Sequence, residues 1–420
     1  MKLLLKNVLI ADKYSPFFGK TQDILLEDGL IINIQESIHE LVDETISIEG
    51  LTVSQGWVDI FTDFADPGFE YRESIESGAE AAIAGGFTHV FVVPNTKPSL
   101  QNKPQISYIT EKSKGLAINV YPIGAISKNL EGKDLAEMYE MQQAGAIAFS
   151  DGLHPVQSAG LLLKAFQYIQ AFEGAIIQLP IDKSIGSFGL ITEGVISTQL
   201  GLPGIPALSE TLIVKRDLDL LRYTESKLHI TGITTAQSVQ LIKEAKKEGI
   251  SISCSVTPYH LFYCDEDMVS YDTNLKVNPP LRIRADRLAL RNAVEEGIID
   301  CITSHHLPQN WDNKTCEFEY AAYGMIGLQS SFYIINQLFD GLSVQVLVDL
   351  LCNNARVLFN LPINKIDIGC EADLTLFTRV GDTILSSGNN KSKSANSAFF
   401  NVSLPGKIVG VYTKGKWHKN

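Results

Sequence analysis

The chemical potential of this chain sits in carboxylates and imidazoles at the ends of short apolar runs. Asp63 lies just beyond the run Trp57–Thr62, Asp151 beyond Ala146–Phe149, and His260 beyond Ile250–Val256. The adjacent pair His305 and His306 follows Asp300–Ser304. Such groups have two uses when they converge. They can hold a divalent cation, for which Asp63, Asp151 and His305 are the natural set. Alternatively, Asp63 or Asp151 can orient His305 or His306 so that the imidazole activates a water against an amide. Alternation along a strand sends neighbouring side chains to opposite faces, so at most one of His305 and His306 is expected at a shared site. His229 reads as a packing residue, and Asp59, His89 and His154 default to structural or solvent roles. Arg72 and Glu73 read as an ordinary surface ion pair. No Gly-x-Ser-x-Gly elbow, P-loop or dinucleotide fingerprint is present.

These residues need a scaffold that gathers strand ends. Eight apolar runs of strand length recur through the middle of the chain: Trp57–Thr62, Thr88–Val93, Ala117–Ile123, Ala146–Phe149, Ala175–Leu179, Lys227–Ile230, Ile250–Val256 and Asp300–Ser304. Amphipathic stretches separate them, among them Asp134–Gln143, Val156–Ala171 and Ala236–Lys247. That alternation predicts an α/β fold, a (β/α)8 TIM barrel, whose site lies at the C-terminal strand ends. The two ends of the chain have a different texture, with short alternating runs punctuated by turns such as Glu27-Asp28-Gly29. They predict a composite β-sandwich domain from residues 1–52 and 365–420, leaving 53–364 for the barrel. Gly186–Ser209 and Tyr259–Arg284 read as long loops walling the mouth. Ser386–Ser397, polar throughout, reads as an exposed mobile loop.

The bulk properties narrow the partners. With 45% apolar and 20% charged residues the composition is that of a folded globular protein. A formal charge of −13 argues against nucleic acid and anionic membrane as partners. No apolar run reaches the roughly 18 residues of a membrane span, and the N-terminus carries no signal-peptide core. The six cysteines form no Cys-x-x-Cys pair, which predicts reduced buried thiols and a cytoplasmic protein.

Several strings in order carry a family resemblance: Ala84-Gly85-Gly86-Phe87-Thr88, Pro94-Asn95-Thr96, Gly145 through Asp151, Leu200 through Pro206, Val256-Thr257-Pro258, Lys276 through Arg282, and Gly324 through Leu328. The chain resembles the dihydroorotases of the cyclic amidohydrolase group over essentially its whole length. The resemblance implies a zinc-bearing barrel mouth, acting on dihydroorotate and carbamoyl aspartate in pyrimidine biosynthesis. It also implies where the ligands belong, and there this sequence departs. The first-strand His-x-His pair reads Phe61 and Asp63; the fifth-strand histidine place falls at about Gln178; the sixth falls on Gly232. The eighth-strand acid that shuttles the proton is replaced by His305, and the arginine for the substrate carboxylate by Ala65. Asp151 retains the fourth-strand acid. Asn95 and Asn278 stand at substrate-amide places, with His260 beside them.

Phenylalanine and glycine offer a metal no lone pair, so no zinc is expected at the family's places. The resemblance therefore points to a non-catalytic homologue with a structural or regulatory role, with aspartate transcarbamoylase as the implied partner and a homodimer or larger oligomer as the implied state. Two readings compete with it. One is an active cyclic-amide hydrolase with a rebuilt or metal-free site; the other is a small-molecule binder using the vestigial pocket.

Overall fold

The computed structural model describes residues 2–420. The eight barrel strands are Trp57–Thr62, Phe87–Val92, Asn119–Gly124, Ala148–Phe149, Ile176–Gln178, Leu228–Ile230, Ile252–Val256 and Cys301–Ile302. They neighbour one another in chain order and pair in parallel. Side chains on one face of each strand fill the barrel and those on the other meet the helices, so both faces are buried. Val58, Ile60, Phe61, Phe91, Ile123, Ile177 and Cys301 pack into one interior cluster. The inward positions of the sixth and seventh strands are instead polar: His229, Thr231, Ser253 and Ser255.

Closure between the first and eighth strands runs through a carboxylate. Asp59, fully buried, accepts hydrogen bonds from the Thr303 hydroxyl at 2.9 Å and the Ser304 amide at 2.6 Å. The Asp63 amide then donates to the His306 carbonyl at 2.8 Å. Asp59, whose default from sequence was a structural or solvent role, is thus a structural clamp across the seam.

The outer helices are capped by their own sequence. Ser74 and Ser77 form a reciprocal box at the start of Ile75–Ala84, and Thr235 caps Ala236–Lys247. Val239, Ile242 and Ala245 of the latter are buried, as their helical spacing requires. The Gly186–Ser209 loop contains a two-stranded ladder, Ile191–Thr192 with Gly204–Ile205, and a short helix, Val195–Leu200.

Both chain ends meet in one eight-stranded sheet. Thr52–Gln55 sits between Lys2–Ile10 and Leu374–Ile384, one residue before the first barrel strand. That residue is Gly56, where an added Cβ would lie 1.9 Å from the Thr88 hydroxyl. Arg356 ties the two parts together, its Nη2 donating to the Gly56 carbonyl at 2.6 Å and to Asp373 at 2.7 Å. All six cysteines are free; four are buried, while Cys316 and Cys370 are half-buried. Among the described residues no helix is long and apolar enough to cross a membrane.

Candidate active site

At the end of the first strand the Phe61 ring turns into the barrel and meets the His305 imidazole, with centroids 4.6 Å apart and planes at 36°. The eighth strand has already ended at Ile302, and His305 adopts a left-handed backbone with φ 42°. Strand alternation therefore no longer governs this pair, and both His305 and His306 border the mouth cavity. The expectation of one inward and one outward histidine is corrected accordingly.

His305 has room because residue 232 is glycine. A Cβ at Gly232 would lie 2.6 Å from His305 Cε1, and its φ of 68° is one that glycine adopts at little cost. The imidazole also shares a 2.7 Å hydrogen bond with Thr231. A chain continues from Thr231 to Ser255 at 2.9 Å, then to His229 at 2.9 Å and Ser253 at 2.8 Å. Burial pushes the His305 pKa down to about 3, with the charges of His260 and His229 acting in the same direction. The ring is neutral at pH 7, a packed part of the interior.

Asp63 is buried beside this stack. Its Oδ1 accepts the Ala65 amide at 2.7 Å, while Oδ2 has no hydrogen-bond partner and lies 3.6 Å from Arg72. Burial raises its pKa, against the opposing charge of Arg72. Arg72 and Glu73 are not a surface pair. Arg72 lies over the Phe69 ring, and Glu73 is fully buried.

Glu73 is a residue that the sequence reading undervalued. Its carboxylate accepts hydrogen bonds from the Ser77 and Ser392 hydroxyls, and from the Lys393 amide at 3.1 Å. His306 Nδ1 accepts the Gly327 amide at 3.2 Å, which leaves Nε2–H to face Glu73 at 3.4 Å. Ser392, Ser394 and Asn396 are buried while Lys391, Lys393 and Ala395 are exposed. Residues 390–397 are thus a strap bound to the mouth, in place of the exposed mobile loop expected, while 387–389 form an exposed turn. The period-two spacing of its small polar residues was the available signal.

The remaining predicted site residues go elsewhere. Asp151 accepts the Ile126 and Ser127 amides at 2.9 Å each and the Ser127 hydroxyl at 2.5 Å, and burial pushes its pKa up to about 6. Asn95 is a turn clamp: its carbonyl takes the Leu153 amide at 2.9 Å and its NH2 reaches the Asp151 carbonyl at 3.3 Å. His260 has both ring nitrogens engaged, by Thr257 at 2.8 Å and the Pro279 carbonyl at 2.9 Å. Asn95 and His260 therefore support loops and do not offer themselves to a ligand. Of the three expected pocket residues, only Asn278 borders the cavity. Gln178 faces the helices, donating to the Val156 carbonyl at 3.2 Å. Because Ile177 belongs to the interior cluster, alternation makes Leu179 the next inward position, which moves the fifth-strand place by one residue.

The cavity that remains, bounded by Phe61, Asp63, Asn278, His305 and His306, has a volume of about 10 Å³. That is the space of a single water. The side chains at the family's ligand places do not fit a zinc ion. Phe61 and Gly232 have nothing to donate, Gln178 and Leu179 bring an outward amide and a methyl-bearing chain, and Asp151 is enclosed by three donors. Nor do Asp63, Asp151 and His305 assemble into a substitute. Among the described residues no three His, Cys, Asp or Glu side chains are grouped to hold a metal.

Comparison with known proteins places this geometry. Residues 50–238 match the dihydro-orotase-like family and residues 216–418 the amidohydrolase family. The dihydroorotase of Syntrophus aciditrophicus is 37% identical, with 99% of each chain aligned. That of Acetivibrio thermocellus is 38% identical over 98% of each. The chain belongs to the dihydroorotase family. Its fold is also that of L-hydantoinase (dihydropyrimidinase) from Arthrobacter aurescens, with a TM-score of 0.86, 23% identity and 99% and 95% of the two chains covered. Against this dihydroorotase scaffold the mouth of the present chain is filled by its own aromatic side chains.

Proposed function

We propose that this chain is a non-catalytic dihydroorotase homologue, retained for a structural or regulatory role in pyrimidine biosynthesis. The observation that carries the reading is the Phe61–His305 ring pair, with His305 lying in the space that Gly232 vacates. Three departures from the family pattern fit one another as a packed unit.

Chemistry at this mouth would lack what amide-ring opening and closure need. A Lewis acid contributes several kcal/mol of transition-state stabilisation, and the residues present supply no site for one. His305 is buried, neutral and hydrogen-bonded to Thr231, so it is poorly placed as a base. One water's volume also leaves no room for a six-membered ring. The same volume speaks against a binder in the old pocket.

Aspartate transcarbamoylase is the partner we propose, on the family resemblance. Two experiments test the reading. Purified protein assayed for dihydroorotate hydrolysis and carbamoyl aspartate cyclisation is expected to match buffer; turnover that His305→Ala abolishes would overturn it. Co-elution with aspartate transcarbamoylase of the same cell is expected by size-exclusion chromatography, and independent elution would remove the partner.

A further inference from the structure

A cavity also opens at the end of the barrel opposite the mouth. Ala175, Lys227 and Ser251, each just before a barrel strand, border it on one side, and Leu358 and Phe359 at the end of the helix Asn354–Leu358 on the other. Its volume is about 240 Å³. An apolar cavity of roughly 150 Å³ is enough for a benzene ring. Leu228, Ile252 and Phe359 give it buried apolar walls. Lys227 is exposed at its edge and shares the adjoining surface hollow with exposed Glu173 and Glu225. Charges of both signs thus stay in water outside, and the interior suits a neutral molecule.

The inner end of this cavity is polar, formed by buried His229 and Ser253. The Ser253 hydroxyl has one hydrogen-bond partner among the described residues, His229 Nδ1 at 2.8 Å. From His229 Nε2 the chain runs through Ser255 at 2.9 Å and Thr231 at 2.9 Å to His305 Nε2 at 2.7 Å, at the mouth. The base cavity and the mouth are therefore joined by one file of hydrogen bonds through the barrel. Ser255 and Thr231 each have one proton to give and two neighbours in the file. His229 is neutral, because burial, with the charge of Lys246 acting in the same direction, pushes its pKa down to about 3. It too has one N–H for two neighbours. With one proton in each link, every link points the same way. Pointing to the mouth, Ser253 donates to His229, Thr231 donates to His305 Nε2, and His305 carries its proton on Nδ1. Pointing to the base, His305 donates from Nε2, His229 donates from Nδ1, and the Ser253 O–H is free to donate into the cavity.

We infer that the base cavity binds a small neutral ring molecule through the Ser253 hydroxyl, and that the hydrogen-bonding sense of the occupant sets which nitrogen of His305 carries the proton. An occupant that donates to Ser253 aligns the file towards the mouth, and one that accepts from Ser253 aligns it towards the base. Hydrogen bonds in a file polarise one another, so a contact at one end favours one direction throughout. The cavity lies at the far end of the barrel, so the inference stands or falls apart from the question of catalysis at the mouth.

Two probes of similar size test it on the full chain at neutral pH: indole, whose ring nitrogen only donates, and quinoline, whose ring nitrogen only accepts. Calorimetric titration is expected to give a millimolar or tighter Kd for both. Long-range proton–nitrogen spectra of the protein labelled at histidine then read the tautomers. His305 should be protonated on Nδ1 with indole bound and on Nε2 with quinoline bound; His229 should be protonated on Nε2 and on Nδ1, respectively. Ser255→Ala cuts the file between the two histidines, and should keep the difference at His229 while abolishing it at His305. No heat from either probe at about 5 mM would overturn the inference. So would one His305 tautomer with both probes bound, or a difference at His305 that survives Ser255→Ala.

Discussion

Phe61 and His305 lie at opposite ends of the barrel's sequence, yet their rings pack at 4.6 Å where the first and eighth strands close. His305 depends on the missing side chain at Gly232, and its ring covers one face of Phe61.

The space relation gives a double-mutant test. Gly232→Ala places a Cβ 2.6 Å from His305 Cε1 at a left-handed backbone, and should destabilise the fold by about 1–3 kcal/mol. In a His305→Ala background the clash disappears and only the backbone strain remains. Urea unfolding of the four proteins should then give a coupling of about 1 kcal/mol or more. An equal cost in both backgrounds would remove the shared-space account.

Titration of His305 follows from its burial. With a pKa pushed down to about 3 by burial, the ring should stay neutral across physiological pH. A lowered imidazole pKa makes its stability contribution complete above the ordinary value near 6.5 and lost as pH falls towards about 3. Nitrogen chemical shifts of labelled histidine check this; an imidazolium signal assigned to His305 at pH 6 would contradict it.

The strap hangs on Glu73. Burial raises this carboxyl's pKa, but hydrogen bonds from His306, Ser392 and Ser77 outweigh it, and the net direction is down. A lowered carboxylate contributes stability above its ordinary value of about 4.5 and loses it as pH falls through the lower folded value. Glu73→Gln should therefore speed amide exchange across residues 390–397 at neutral pH, by about tenfold or more, while the barrel strands stay protected. Unchanged exchange in the strap would show that other contacts hold it.

Asp151 has the opposite sign. Burial raises its pKa from 3.8 to about 6, so the folded state binds the extra proton and stability falls as pH rises through that window. Relative to Asp151→Asn, the wild-type protein should lose up to about 3 kcal/mol between pH 4 and pH 7. A pH-independent difference between the two, measured by urea unfolding, would contradict the assignment.

The barrel was legible because its strands are buried on both faces and must read as apolar runs, as Trp57–Thr62 and Thr88–Val93 do. What escaped the sequence reading was set by irregular backbone and by polar groups satisfied at long range. His305 leaves β geometry after Ile302, so counting alternation from the strand misplaced the histidine pair. The fifth-strand place could be read only as about Gln178 because a three-residue strand gives little to count from. Ser392, Ser394 and Asn396 looked like a solvated loop, since their partners Glu73, Arg72 and Leu307 lie far away in sequence. Asn95 and His260 were assigned to a pocket by resemblance, and the structure engages both with neighbouring loops, at Leu153 and Pro279.

The metal content of the protein tests the central claim most directly. Purified from zinc-supplemented cells and analysed by inductively coupled plasma mass spectrometry, the chain should carry less than about 0.1 zinc per molecule, because a catalytic site needs about three protein ligands. One zinc per chain, removed by substituting Asp63 or His305, would contradict it.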